Sequence, residues 1–209
     1  MDDDDFKQEP IRGLPEIPPE GEVIVWQGRP DWWALAREAM KVHWIAGYFV
    51  VLAAWRMLAD IDRLPWASAV ETGVPLLILG AIACGVLTLV AFIQARATVY
   101  TITNRRVAMR IGAALTVTLN IPYRWIGSAD LDLRSRGTGT IALQLLGETR
   151  LSYLVCWPHV RPWYMARTQP ALRCISDAER VARILGEMAQ TRLTELADET
   201  ERTEAVPAE

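Results

Sequence analysis

The sequence is poor in the residues on which catalysis and metal binding usually depend. It has three cysteines and two histidines among 209 residues, and it contains neither a CxxC pair nor an HExxH motif. A Walker loop, a GxSxG turn and paired carboxylates at a catalytic spacing are also missing, so no group of residues offers a nucleophile together with a base. The sequence therefore predicts a protein that is not an enzyme and has no metal site.

The sequence also lacks the signs of export. Cys84, Cys156 and Cys174 are isolated, which predicts no disulfide framework and favours a reducing, cytoplasmic setting. The first 20 residues are acidic and rich in proline, whereas a signal peptide would be basic and then apolar. We therefore expect no cleavable signal peptide, and we predict that residues 1–21 form a disordered acidic terminus.

Lysine is absent from residues 96–190, where 13 arginines against six acids give a net charge of +7. Residues 1–21 have a net charge of −5, and a predicted acidic tail at residues 191–209 has one of −4. A basic segment between acidic ends indicates contact with anionic lipid or an acidic partner, although a solvated surface of mixed sign gives the same totals. Nucleic-acid binding is not expected, because no reader motif accompanies the arginines.

What the sequence does have is long apolar runs. Residues 74–93 comprise 20 positions without a charge, which is enough helix to cross the hydrocarbon core of a bilayer. Residues 42–59 form a second candidate. The sequence thus predicts a membrane α-helical hairpin over residues 42–93. Before it, residues 22–41 are predicted to form a short strand and an interfacial helix that begins at Trp32 and runs on into the first span.

Basic residues predict the orientation of this hairpin. They cluster before the first span and after the second, whereas the loop at residues 60–73 contains only Arg63. The flanking residues are Arg29, Arg37, Lys41, Arg96, Arg105, Arg106 and Arg110. By the positive-inside rule, both termini are expected in the cytoplasm and the chain is expected to be a multi-pass protein of the inner membrane.

After residue 96 the pattern changes from helix to strand. Short runs of branched and aromatic residues alternate with turn signals such as Asn104-Arg105-Arg106, and the last predicted strand covers residues 150–157. Ser176 and Glu179 then form a capping box at the start of an amphipathic helix. Residues 96–190 are therefore predicted to be an α+β domain, a small antiparallel barrel of the pleckstrin-homology type closed by a C-terminal helix.

Particular motifs resemble those of known families. The segments YTITNRRVAMRIG, NIPYRWIGSADL and GTGTIAL resemble bacterial pleckstrin-homology-like domains attached to a membrane hairpin. Two further segments, EGEVIVWQGRPDWWALAREAMKV and PHVRPWYMARTQPALRCISDAERVARIL, are similar to the PuhB family of photosynthetic complex assembly proteins of purple bacteria. With both ends included, the resemblance covers nearly the whole chain.

The resemblance implies a non-enzymatic factor that helps to assemble the photosynthetic reaction centre, with the core antenna around it as a second candidate client, in the intracytoplasmic photosynthetic membrane. The implied partners are reaction-centre subunits, with the H subunit as a candidate. Anionic lipid and a second copy of the chain, forming a homodimer, are further candidate partners. Two alternatives stay open: a general lipid and protein adaptor at the membrane surface, and a carrier of pigment or haem.

The basic residues that follow the second span are expected to seat the domain on anionic headgroups, because each such residue contributes ~1 kcal/mol near the surface. These residues are Arg96, Arg105, Arg106 and Arg110. Near the end of the barrel, a loop stiffened by prolines is expected to dock a partner, since aromatic residues and arginine dominate binding hot spots. Its members are Pro158, His159, Arg161, Pro162, Trp163 and Tyr164. Packing over the mouth of the barrel is the alternative for this loop.

Two features of the apolar helices are candidate sites within the membrane. Gly80, Ala81 and Gly85 are small residues that let helices approach closely, either within the hairpin or against another chain. His43, at the cytoplasmic end of the first span, could ligate the metal of bacteriochlorophyll or haem. The alternative is an interfacial histidine that anchors a helix end, and no cofactor is then expected.

Overall fold

A computed structural model of the chain describes residues 11–113, 115–134, 137–147 and 151–204. The chain divides into two compact units, of which one is Trp32–Ala95 and the other combines the segments before and after it. Predictions made for residues 1–10, for the start of the strand expected at residue 150 and for residues 205–209 lie outside the described residues.

The unit Trp32–Ala95 is helical. It contains α1 (Trp32–Glu38), α2 (Val42–Asp60), α3 (Trp66–Glu71) and most of α4 (Val74–Ala97). The segments Val42–Asp60 and Trp66–Ala97 are long and apolar enough to cross a membrane, and they contain the two apolar runs of the sequence. Both apolar runs therefore form helices, as predicted.

The helix that begins at Trp32 does not continue into the first apolar helix, so that prediction was wrong. α1 ends at Glu38, and Lys41 has a left-handed conformation with φ 55° immediately before α2. A left-handed residue cannot continue a right-handed helix. The chain therefore turns between α1 and α2 and forms two separate helices.

The other unit contains two antiparallel sheets. One has the order β1-β2-β3-β4 and the other β5-β6-β7, and every pair of neighbouring strands is antiparallel. The strands are β1 (Ile24–Gly28), β2 (Val99–Thr103), β3 (Arg106–Ile111), β4 (Val117–Pro122), β5 (Ile126–Leu133), β6 (Gly139–Leu145) and β7 (Ala171–Ile175). A short helix, α5 (Tyr153–Cys156), precedes β7, and α6 (Ala178–Glu204) follows it.

Side chains from both sheets and from one face of α6 form a single core. Its buried members include Tyr100, Ile102, Met109, Ile141, Leu143, Leu172, Val181 and Leu185. All five residues of β2 are buried. The strand lies between β1 and β3, and its side chains contribute to the core. This arrangement confirms the predicted antiparallel, pleckstrin-homology-like domain closed by a C-terminal helix.

The end of the barrel differs from the prediction. Residues 153–156, expected within a strand, form α5, and the final strand is instead β7. Helix α6 begins at Ala178, after Asp177 with φ 52°, and extends through residues expected in a tail, as far as Glu204. The boundary predicted at residue 190 was therefore wrong.

Residues 11–21, expected to be disordered, include a buried contact with the barrel. Leu14 is buried, and Ile11 and Leu14 form an isolated β-bridge. Gly13 has φ 89°, and a Cβ there would lie 2.5 Å from Cγ1 of Val99. Glycine allows this close approach to β2, so this part of the N-terminal segment packs on the domain.

Candidate functional site

The candidate site is the loop that connects α5 to β7, residues 157–170, called here the docking loop. Its two ends run antiparallel and are joined by backbone hydrogen bonds. The N–H of Arg161 donates to the carbonyl of Gln169 at 2.9 Å, and that of Ala171 donates to the carbonyl of His159 at 2.9 Å. The pairing leaves residues 162–168 as the tip of the loop.

A buried histidine fixes the base of the docking loop. Nε2 of His159 lies 3.0 Å from Oγ1 of Thr98, and its Nδ1 lies 2.6 Å from the hydroxyl of Tyr100. The N–H of Arg173 donates to the same Tyr100 oxygen at 3.2 Å. All partners are satisfied if Tyr100 donates its proton to Nδ1 and the Nε2–H donates to Thr98.

Both rings in this network are neutral. Burial, together with the nearby charge of Arg173, lowers the pKa of His159 to about 3. Burial also raises the pKa of the Tyr100 phenol far above its ordinary value. Since neither ring ionises near neutral pH, His159 serves as an uncharged link between the loop and the start of β2.

The tip of the docking loop has the opposite character. Trp163 is 87% exposed, and Tyr164 and Met165 are also exposed. The backbone of Trp163 has φ 69°, an unfavourable conformation for a bulky residue. Such strain persists where the surroundings impose it, and it is concentrated at functional sites.

Arg161 orders one side of the tip. Its guanidinium lies 4.4 Å from the centre of the Tyr164 ring, within the range of a cation–π interaction. The same group donates to Asp130 of β5 and, at 3.1 Å, to the side-chain oxygen of Gln169. Tyr164 is thus held in place, whereas Trp163 projects into solvent.

Residues of α5 and the first residue of the loop extend this apolar surface along the chain. Leu154 is 84% exposed, Val155 is also exposed, and so is Trp157 at the start of the loop. Sequence reasoning missed Leu154, Val155 and Met165. A strand was expected at 150–157, and the helical turn of α5 instead exposes adjacent side chains that a strand would place on opposite faces.

The predicted docking residues therefore divide into two groups. Arg161, Pro162, Trp163 and Tyr164 are exposed or partly exposed, and they can contact a partner. Pro158 and His159 are buried, so their direct role in docking was wrongly predicted. A proline-flanked histidine was expected to face outward, but its hydrogen bonds to Thr98 and Tyr100 hold it inside.

Arg106 is committed to an ion pair within the domain. Its Nε donates to Oε1 of Glu22 at 2.8 Å and its Nη2 to Oε2 at 3.2 Å. The side chain of Glu22 is only 3% exposed, and Thr103 also donates to it at 2.9 Å. The two-pronged contact satisfies the buried carboxylate, so the structure contradicts the prediction that Arg106 mainly faces headgroups.

The other predicted membrane-facing arginines do not form one cluster. Arg110 pairs in register with Val99 at the start of β2, whereas Arg105 lies in the turn beyond Thr103. Four residues of strand separate these ends by ~13 Å. Arg96 and Arg105 are exposed and Arg110 is partly exposed. Their contact with lipid stays a prediction.

The small residues of α4 have different environments. Gly80 is buried, and a Cβ there would lie 2.6 Å from Cβ of Phe49 in α2. Ala81 and Gly85 are exposed, and a Cβ at Gly85 would meet nothing within 4 Å. Gly80 therefore permits close packing inside the hairpin, whereas Ala81 and Gly85 lie on a surface open to lipid or another helix.

His43 lines a hollow on the outer face of α2. The hollow has a volume of about 490 Å³, and its walls are His43, Trp44, Gly47, Tyr48 and Val51. Gly47 has no side chain to fill the hollow, and a Cβ at this position would have no neighbour within 4 Å. No group of three or more metal-ligating side chains occurs among the residues that the structure describes.

These features define a pleckstrin-homology-like domain in a chain with two helices able to cross a membrane. A family model described as "Bacterial PH domain" matches residues 45–189, and the chain belongs to this family. The matched region begins inside α2 and ends inside α6, so it includes α4 and strands β2 to β7.

A relative from Rhodobacter capsulatus is 50% identical over 197 residues, which cover 93% of this chain and 92% of the relative. That protein is described as an uncharacterized 23.7 kDa protein in the puhA 5′ region. Among solved structures, a DUF1696 family protein with a pleckstrin-homology domain from Shewanella loihica PV-4 is 11% identical. Its TM-score is 0.30, over 44% of this chain and 71% of that one. Membership of the PuhB family stays a prediction.

Proposed function

We propose that the protein is a non-enzymatic assembly factor of the photosynthetic membrane. It spans the inner membrane twice, with both termini in the cytoplasm, and it binds client subunits of the reaction centre. The H subunit is the first candidate client, and the core antenna is a second. One observation carries the proposal: the docking loop has a rigid, buried base and an exposed aromatic tip, the arrangement expected of a preorganised binding surface.

Three further observations support this function. The R. capsulatus relative is a protein of the puhA 5′ region, the sequence resembles the PuhB family, and the chain belongs to the bacterial pleckstrin-homology family, whose domains typically act as adaptors without catalysis. The exposed tryptophans and tyrosine suit either a protein interface or the edge of a bilayer. We assign them to a protein client because Arg161 contacts Asp130, Gln169 and the Tyr164 ring, and these contacts order one side of the tip.

The docking loop is tested with a double variant, Trp163→Ser with Tyr164→Ser. The matched control is Leu115→Ser, which removes an exposed apolar side chain from the turn between β3 and β4. Tagged proteins are purified from gently solubilised membranes of a phototroph, and co-purifying subunits are quantified. Reaction-centre subunits should accompany the wild type and the control but not the double variant. Equal recovery of reaction-centre subunits with all three proteins would contradict the proposal that the tip of the docking loop binds them.

Deletion of the gene tests the cellular role separately. An assembly factor predicts a selective loss of assembled reaction centre, measured by its absorption spectrum, while other membrane complexes keep their normal level. A strain that assembles reaction centres normally would contradict the proposal and favour a general adaptor at the membrane surface.

The hollow beside His43 favours a second candidate function, the binding of a bacteriochlorophyll or haem. An exposed imidazole above an open glycine offers a ligand and space for a flat macrocycle. Protein purified from phototrophic membranes should then absorb as a pigment complex, and His43→Phe should abolish that absorption. An identical spectrum for both proteins would exclude His43 as the ligand.

A further inference from the structure

Strand β5 forms an edge of its sheet. It pairs with β6 alone, and seven of its eight residues are exposed, so nothing packs over it. The N–H of Arg134, directly after β5, donates to the carbonyl of Thr138 at 2.8 Å. Because bonded and non-bonded pairs alternate in an antiparallel ladder, the even-numbered residues of β5 bond to β6. The N–H and C=O groups of Ala129, Leu131 and Leu133 therefore point away from β6.

The pairing on the far side of β6 gives the same direction. Leu143, which lies opposite Ala129, donates its N–H to the carbonyl of Pro170 at 2.8 Å, away from β5. Over the described part of the chain, Ala129, Leu131 and Leu133 form no hydrogen bond outside the β5–β6 pairing. Such a row of unpaired backbone groups can pair with a further strand.

The side chains of β5 leave the core open along this edge. Directly opposite residues of an antiparallel pair place their side chains on the same face of the sheet. Leu131 lies opposite Ile141, which is fully buried, so Leu131 is on the core face. Yet Leu131 is 38% exposed and Leu133, two residues further on, is 51% exposed. A strand added to β5 would cover both leucines.

Helix α6 lies on the other side of this opening, called here the β5 groove. A Cβ at Gly139 would lie 2.7 Å from Cβ of Ala178, the first residue of α6, and 3.4 Å from Cδ2 of Leu133. At this end the groove contains a hollow of about 560 Å³, and its walls include Leu133, Arg180 and Arg183.

The charged groups of the hollow are not paired with one another. Arg180 and Arg183 are exposed, and neither forms an ion pair with any residue that the structure describes. Asp177 and Glu179 line the same hollow, but they leave both guanidinium groups without a bonded carboxylate. A carboxylate that enters the hollow would gain charge-assisted hydrogen bonds from the two arginines.

We infer that the β5 groove binds an extended segment of a partner protein, which adds a strand to the sheet through Ala129, Leu131 and Leu133. In this mode of recognition, backbone hydrogen bonds supply affinity and alternate side chains supply specificity. The segment has apolar residues at alternate positions, to cover the leucines, and an acidic residue at the end beside Arg180 and Arg183. The inference rests on the proposed function only in that the partner is then a client.

The probe is a phage-displayed library of random peptides, selected on the full-length protein in detergent. Enriched peptides should alternate apolar and polar residues and carry an acidic residue at one end. Synthetic copies are then titrated against two variants. Leu131→Pro removes an outward N–H without removing a bond to β6, and it should weaken binding about tenfold. Leu131→Val keeps the N–H and should bind like the wild type. Equal binding by both variants, or a library without enriched peptides, would overturn the inference.

The acidic end of the segment is tested at the hollow. The variant combines Arg180→Gln with Arg183→Gln, and the control is Arg192→Gln, which removes a positive charge further along α6. Loss of the charge-assisted hydrogen bonds should weaken peptide binding at least tenfold in the first variant and leave it unchanged in the control. Equal binding by the two proteins would contradict the predicted carboxylate.

Hydrogen exchange on the wild type alone keeps the test valid if Leu131→Pro does not fold. A bound peptide should slow amide exchange in β5, whose outward N–H groups become bonded, and unchanged exchange in β5 would overturn the inference. If Leu131→Pro instead abolishes self-association of the protein, the edge belongs to a second copy and the inference is also overturned. Peptide selection requires no client, so its failure leaves the pull-down with the docking loop unaffected.

Discussion

The buried histidine of the docking loop should make the protein less stable in mild acid. Burial lowers the pKa of His159 from 6.5 to about 3. As the pH falls below about 6.5, the histidine therefore becomes protonated in the unfolded chain but stays neutral in the folded chain. The stabilising effect of the neutral ring is complete above that pH and is lost progressively as the pH falls toward 3.

The size of the effect follows from the difference between the two pKa values. Each pH unit below the unfolded value costs ~1.4 kcal/mol while the folded ring stays neutral, so stability should fall by about 2 kcal/mol between about pH 8 and about pH 5. For a chain of this length the melting temperature should drop by ~4–8 °C.

The assay is thermal unfolding of the full-length protein in detergent, followed by tryptophan fluorescence at both pH values. His159→Gln should be less stable at high pH, by ~1–3 kcal/mol for the buried hydrogen bonds, and should lose most of the drop in acid. The control is His43→Gln, which removes the other histidine of the sequence from an exposed position on α2. A wild type with the same melting temperature at both pH values would refute the reasoning, as would a full acid effect in His159→Gln.

Two further predictions concern packing and charge. Gly80→Leu should destabilise the hairpin by ~1–3 kcal/mol, because the leucine side chain would collide with Phe49. Gly85→Leu should leave the melting temperature in detergent unchanged. Equal melting temperatures for the two variants would contradict the assigned packing. Glu22→Gln should cost ~1–3 kcal/mol and should cost less when Arg106→Gln is already present, since the two side chains bond to each other. Additive losses in that double-mutant cycle would argue against the ion pair.

The parts of the fold that could be predicted depend on patterns within one segment. Uninterrupted apolar runs predicted α2 and α4, and Asn104-Arg105 predicted the turn between β2 and β3. The strand expected at residues 150–157 was wrong because four apolar residues can form a helical turn or a strand equally well. The final strand, β7, was missed because all five of its residues are buried, including Arg173, so it has no alternation of polar and apolar residues.

The candidate site was predictable at its tip but not at its base. Tryptophan and tyrosine between prolines indicated an exposed binding surface, and Trp163 and Tyr164 are exposed. The role of His159 depends on Thr98 and Tyr100, about 60 residues earlier in the chain. No local pattern contains that information, because a histidine in a loop looks the same whether it faces solvent or the core.

The arginines show why charge totals do not define a surface. The basic segment suggested a uniform patch for anionic lipid, but Arg106 is paired with Glu22, Arg161 with Asp130, and Arg173 is buried without a carboxylate partner among the described residues. The first two therefore contribute little to a long-range field. Arg173 differs because nothing described neutralises it, and a buried charge is tolerated only where something compensates for it. The net charge of +7 in residues 96–190 therefore does not identify the arginines that are free to contact a membrane surface.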